Sequence, residues 1–202
     1  MRIKNIVSGF VSMAFILGGL ALAAMFFMGP STQTSESGVS GEFNVPEVSN
    51  PTPEDLTGPV DKTLILTVPK MNRLDGVEIP DAAGNDEEAL RVNAGIHLQG
   101  TGFPWQEGAN VYMAGHRMGY PGTESFLAFR DQQKLEKGDE VHVTDSEGTR
   151  YTYEVFSERI VGPQQIEVTQ PVEGKNVLTL QTCTFPDYSE RIVTQAELVD
   201  VA

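Results

Sequence analysis

One stretch near the start limits the chain more than any other. Ile6–Met28, IVSGFVSMAFILGGLALAAMFFM, runs 23 residues without an acid or a base. As a helix it would measure roughly 35 Å, enough to cross a hydrocarbon core of about 30 Å. A folded body therefore has to be sought after it. Arg2 and Lys4 precede the run, and the next basic residue is Lys62. Short basic flanks stay in the cytoplasm, which puts residues 1–5 inside as a tail, 6–28 in the bilayer as a signal anchor, and everything after Met28 outside. The alternative is a cleaved signal peptide, since Ala21-Leu22-Ala23 has the small-x-small form of a cleavage site. The apolar run continues past that tripeptide through Met28 and exceeds the usual h-region of about 7–15 residues, which favours the anchor. Either way the body is exported.

Residues 29–58 follow, and seventeen of these thirty are Gly, Pro, Ser or Thr. With no hydrophobic period, this reads as a flexible linker spanning roughly 30 Å. Residues 59–202 are long enough for one domain with a core of its own. The formal net charge is −14, and setting aside the anchor with its two basic residues leaves the rest more acidic still. That excludes nucleic acid as a partner and argues against docking on anionic lipid headgroups. The membrane is reached only through the N-terminal helix.

The body reads as strands. KTLILTVPKM and GVEIP are β-rich, and ANVYMAGHR is a strand ending near Gly115. KGDEVHVTDSEGTRYTYEVFSERIV alternates as a hairpin around DSEG, and KNVLTLQTC and RIVTQAELVDV are two more strands. GNDEEALRV suits two turns of helix capped by Asn85 or Asp86, and ESFLAFRDQQKL a short helix or turn. Roughly eight short strands with little helix give an all-β fold, a closed barrel or a sandwich. No phosphate-binding loop and no Cys/His metal spacing is present, so neither a metal nor another cofactor is expected.

Cys183 is the single cysteine. An exported chain with one thiol cannot close an internal disulfide, so that thiol is either an inert small core group or a reactive one. Its position favours reactivity. Cys183 ends an alternating strand and opens into the loop TFPDYS, while Arg191 begins the next strand, so antiparallel pairing brings the two to one rim. His116 stands at another strand end, just after Gly115. A free thiol is only a few per cent thiolate at neutral pH, and a nearby cation or histidine shifts that balance. A histidine can protonate a leaving amine, and a guanidinium can hold a carbonyl oxygen as charge develops on it. Together they suit acyl transfer through a thioester.

TLQTC (Thr179–Cys183) resembles the T-L-x-T-C pattern of sortases. LTVPKM and GVEIP look like the opening strands of that family. GIHLQGTGFPWQEGANVYMAGHR resembles the segment running from a substrate-flanking loop to the catalytic histidine, and FRDQQKLEKGDEVHV the stretch after it. The resemblance covers most of the body. It implies the closed eight-stranded sortase β-barrel with short helices, and cysteine transpeptidation on a Gram-positive cell surface. Cys183 would attack the Thr–Gly bond of a C-terminal sorting signal of LPxTG or LAxTG type. An amine, such as one on a peptidoglycan precursor, would then take the acyl group, attaching a surface protein to the cell wall. His116 would be general acid and base, Arg191 would stabilise the oxyanion or position the carbonyl, and Thr182 would touch substrate. AGHR and the short Cys-to-Arg spacing look most like class E.

Tyr112 lies four residues before His116, on the same strand face, and is expected to line the pocket. Gly100–Gly108 and Thr184–Ser189 are the expected walls of the groove. Trp105 with Phe103 and Pro104 suits either a groove wall or a satellite core. His97 and His142 are expected at the surface, and Arg117 on the face away from His116. Two other functions stay open: a thiol hydrolase on the same fold, and a binding module without activity.

Overall fold

Alternating burial draws the strands of this protein. The computed structural model describes residues 58–202, and the expected anchor and the linker up to residue 57 lie outside them. Among the described residues no helix is long and apolar enough to cross a membrane. In β6 (Glu140–Thr144), Val141 and Val143 are fully buried, and they pair across the hairpin with Tyr153 and Tyr151 of β7 (Arg150–Val161). The turn between them is fixed by Asp145, whose Oδ1 accepts from the Glu147 and Thr149 amides, with Gly148 at φ 91°. A left-handed residue there suits glycine.

The other strands are β1 (Leu64–Thr67), β2 (Val77–Ile79), β3 (Asp81–Ala82), β4 (Ile96–Leu98), β5 (Asn110–Ala114), β8 (Val177–Cys183) and β9 (Arg191–Val201). They form one nine-stranded sheet in the order β2-β1-β6-β7-β9-β8-β5-β4-β3. Its two outermost members are consecutive in the chain, separated only by Pro80. Val77–Ile79 bonds to β1, and immediately afterwards the Pro80 and Ala82 carbonyls accept from His97 and Gln99 on the β4 side. One extended segment thus serves both margins of the sheet. Counted once, it makes eight strands around a nearly closed barrel, joined across the gap by the chain itself.

Helix α1 (Glu87–Val92) begins where the sequence indicates, with the Asp86 carboxylate accepting from the Ala89 amide and two acids in the first turn. ESFLAFRDQQKL is mostly turn, ending in the 3-10 segment Gln132–Lys134. β3 and β4 escape the sequence pattern because two or three residues carry no readable period.

Two apolar clusters follow from the pleat. Val111, Met113, Leu178, Leu180 and Ala196 face the barrel interior with Leu64, Leu66 and Tyr153. Tyr112, Ala114 and Val193 face outward, where Leu90 of α1 and Val168 of the 3-10 segment Ile166–Thr169 cover them. β5 and β8 are thereby buried on both faces. His142 is also not at the surface: it is 8% exposed, with Nδ1 3.3 Å from the Thr152 hydroxyl.

Candidate active site

Antiparallel pairing sets Cys183 directly opposite Arg191, the first register position of β9. Cross-strand partners share a face, with Cβ atoms about 4.5–5.5 Å apart. Both residues are 4% exposed. The loop joining them is pinned shut at its base: the Thr184 amide donates to the Glu190 carbonyl at 2.9 Å, and the Glu190 amide donates back to the Thr184 hydroxyl at 3.2 Å. Arg191 Nη1 donates to the Tyr188 and Glu190 carbonyls at 3.0 and 3.2 Å. Its Nε is buried and has no hydrogen-bond partner. One side of the guanidinium is therefore held by the loop, and a second donor is left to meet a ligand.

His116 arrives from β5, which lies parallel beside β8 with Ala114 opposite Gln181. The ladder runs on one step, as the Gly115 amide donates to the Gln181 carbonyl at 3.1 Å. The Thr182 hydroxyl donates to the Gly115 carbonyl at 2.8 Å, so the residues just before His116 and Cys183 are tied to each other. The His116 carbonyl accepts from the Phe129 amide, and its ring meets Tyr120 edge-on at 5.5 Å. Gly115 is required here, since a Cβ would fall 2.2 Å from the Phe129 ring.

Burial decides the resting protonation. It holds the His116 imidazole below the usual histidine range. It pushes the Cys183 thiol up, an effect that the Arg191 and Arg117 guanidiniums only partly offset. Both shifts favour the neutral form of the group. Among the described residues no cluster of His, Cys, Asp or Glu suits a metal ion.

Several expectations change. Thr182 and Tyr112, expected to touch or line the substrate site, are both fully buried. Thr182 lies on the opposite face from Cys183 because adjacent strand residues alternate. Tyr112 shares the Cys183 face but is capped by the outer cluster, and its hydroxyl donates to Gln181 Oε1. Arg117 lies beside the site, its guanidinium 5.9 Å from the Phe185 ring in the Cys–Arg loop. His97 is fully buried, with Nδ1 2.8 Å from the Asp81 carboxylate and Nε2 3.0 Å from the Gly102 carbonyl. Gly100–Gly108 does not lie at the His116 end of β5. β4 and β5 are antiparallel, so the loop joining them lies at the end of β5 away from His116. Trp105 there stacks on Phe103 at 4.7 Å, against the barrel core.

The loops that do leave the site end are 115–131, 184–190 and the segment after Val161, which pairs with Arg191. Three exposed apolar groups, Met118, Tyr120 and Phe185, sit on the first two of them. The sequence did hold a signal for the Arg117 placement, in its position next to His116, but alternation fails once a strand has ended.

Residues 66–199 match the family model described as Sortase domain. The chain is 39% identical over 135 residues to sortase A of Streptococcus agalactiae serotype III (strain NEM316), an alignment covering 62% of this chain and 52% of that protein. It is 36% identical over 91 residues to sortase A of Bacillus anthracis, covering 45% of this chain and 40% of the relative. The chain thus spans about half the length of these curated relatives or less. Among solved structures, Group B Streptococcus Pilus Island 1 Sortase C2 superposes with a TM-score of 0.58 at 28% identity, covering 71% of this chain and 77% of that one.

Proposed function

The chain belongs to the sortase family, and on that premise we propose that it is a cysteine transpeptidase joining sorting-signal proteins to an amine, with Cys183, His116 and Arg191 as its reacting groups. The observation that carries this reading is the direct Cys183–Arg191 pairing, with His116 fastened alongside through Gly115.

The chemistry follows from those positions. On substrate binding the thiol proton moves to His116, and Sγ adds to the carbonyl carbon of the Thr–Gly bond. The oxygen, now negative, accepts from the Arg191 guanidinium, whose Nε is the donor without a protein partner. Collapse of the tetrahedral species breaks the C–N bond, and His116 returns its proton to the departing amine. The thioester is then attacked by a second amine, which gives a proton to His116 as Sγ leaves.

Within the family the class E assignment is the finer proposal. It rests on AGHR and the Cys-to-Arg spacing, and predicts faster cleavage of LAxTG than of LPxTG peptides. An anchor at 6–28 with the domain outside the cell is supported by the uncharged run and its basic flank. The acceptor is an amine such as one of a peptidoglycan precursor, and the donors are surface proteins carrying the sorting signal.

The test is mass spectrometry on protein incubated with a sorting-signal peptide. Without amine, an acyl adduct should appear on Cys183 and be absent from Cys183→Ala. With amine, ligated product should replace it. Adduct that yields only acid with every amine tried would make the protein a thiol hydrolase, and no adduct at all would make it a binding module.

A further inference from the structure

The outer face of the sheet is organised in rows across the strands. The first row holds Cys183, Arg191 and Val161. The next, two residues further from the strand ends, holds Ala114, Gln181, Val193 and Arg159. Gln181 therefore lies directly beneath Cys183, on the same face, about 6.5–7 Å along the strand. It is 2% exposed and stands between Ala114 and Val193, two members of the outer apolar cluster.

A buried carboxamide flanked by Ala114 and Val193 needs partners for both of its ends. The other two amides on this face have them. Asn110 donates to the Val168 and Gln170 carbonyls and accepts from Thr179. Gln195 donates to the Thr179 hydroxyl and accepts from Arg159. Gln181 is satisfied at one end alone. Its Oε1 takes the proton of Tyr112, a fully buried phenol, while its Nε2 is buried without any partner. The phenol donates to the oxygen end of the amide, and the donor end is left as the free one.

Resting on the transpeptidase reading above, we propose that Gln181 is a substrate-binding residue that donates Nε2–H to an acceptor oxygen of the sorting-signal peptide at or beside the scissile residue, with Tyr112 as the positioning residue that orients it. The oxygen is either the threonine hydroxyl or a backbone carbonyl. An extended peptide whose scissile carbonyl meets Cys183 takes two residues to cover the spacing of the two rows, so the scissile residue and the one beside it lie within one row spacing of this amide.

The experiment compares wild type, Gln181→Met and Tyr112→Phe in three measurements. These are kcat/KM for a threonine-containing signal peptide, kcat/KM for the same peptide with valine in place of threonine, and the rate of Cys183 alkylation by iodoacetamide in the free enzyme. Gln181→Met keeps the bulk and removes the donor. It should lower kcat/KM on the threonine peptide about 3- to 10-fold, the scale of one lost hydrogen bond, and leave the alkylation rate unchanged. Tyr112→Phe should cause a smaller loss of the same kind, and serves if Gln181→Met does not fold. If the loss disappears on the valine peptide the partner is the threonine hydroxyl, and if it persists the partner is a backbone carbonyl. Wild-type kcat/KM in Gln181→Met, or an alkylation rate that falls in parallel with kcat/KM, overturns the inference. Wild-type protein that cleaves no signal peptide overturns both the inference and the reading beneath it.

Discussion

The thiol and the imidazole at this site are both pushed toward their neutral forms, and the reaction needs them charged. The pair carrying one shared proton exists between the two titrations, so kcat/KM should follow a bell. Its rising limb reports loss of the histidine proton and should lie below the ordinary value of 6.5, because burial lowers it. Its falling limb reports loss of the thiol proton and should lie above 9.0, because burial raises it. Arg117→Gln removes one of the two cations that oppose this rise, so the falling limb should move to still higher pH, read from alkylation of Cys183 against pH. Arg191→Lys keeps a charge but loses the planar fork that reaches the Tyr188 and Glu190 carbonyls while retaining a further donor. It should cost roughly 10²–10³ in kcat/KM, whereas near-wild-type turnover would mean that a point charge suffices. The placement of Cys183 against Arg191 was legible in the sequence, since strand end and strand start share a face under antiparallel pairing. Arg117 and Gln181 were not: one lies beyond the last strand residue, and the other reads as an ordinary position until the hydrogen bonds around it are counted.

At the level of elements, β5 and β8 act as a pair of rails whose parallel register ends with Gly115 tied to Gln181 and Thr182, one residue before His116 and Cys183. Thr182 is the cross-tie. Thr182→Val preserves volume but leaves the Gly115 carbonyl buried without that donor, an expected loss of about 1–3 kcal/mol in a urea titration. If the tie matters for alignment, kcat/KM should fall by more than the small unfolded fraction explains. The hairpin of β6 and β7, the helix cap at Asp86 and the strands β8 and β9 were all readable, because each carries a full period or a cap. The loop Gly100–Gly108 was misplaced for a topological reason. Its proximity in sequence to His116 suggested proximity in space, but β5 carries the chain away from one end of the barrel to the other before the histidine is reached.

For the molecule as a whole, the first described residues already pack on the body. Gly58 lies so close to Trp105 that an added Cβ would be 2.3 Å from the indole, and Lys62 sits over the Phe103 and Trp105 rings at 5.1 and 4.8 Å. Protein comprising residues 58–202 should therefore be folded and active on free peptide, and truncation to residue 63 should lower its thermal midpoint by uncovering those rings. The strand that turns through Pro80 carries a wider consequence. Because a single peptide segment bridges the margins of the sheet, one proteolytic nick beside Pro80 would turn a ring into a ribbon with two raw edges. Raw edges recruit strands from other molecules. A cut there should be followed by self-association on gel filtration, whereas a cut in an outlying loop such as 145–149 should leave the protein monomeric.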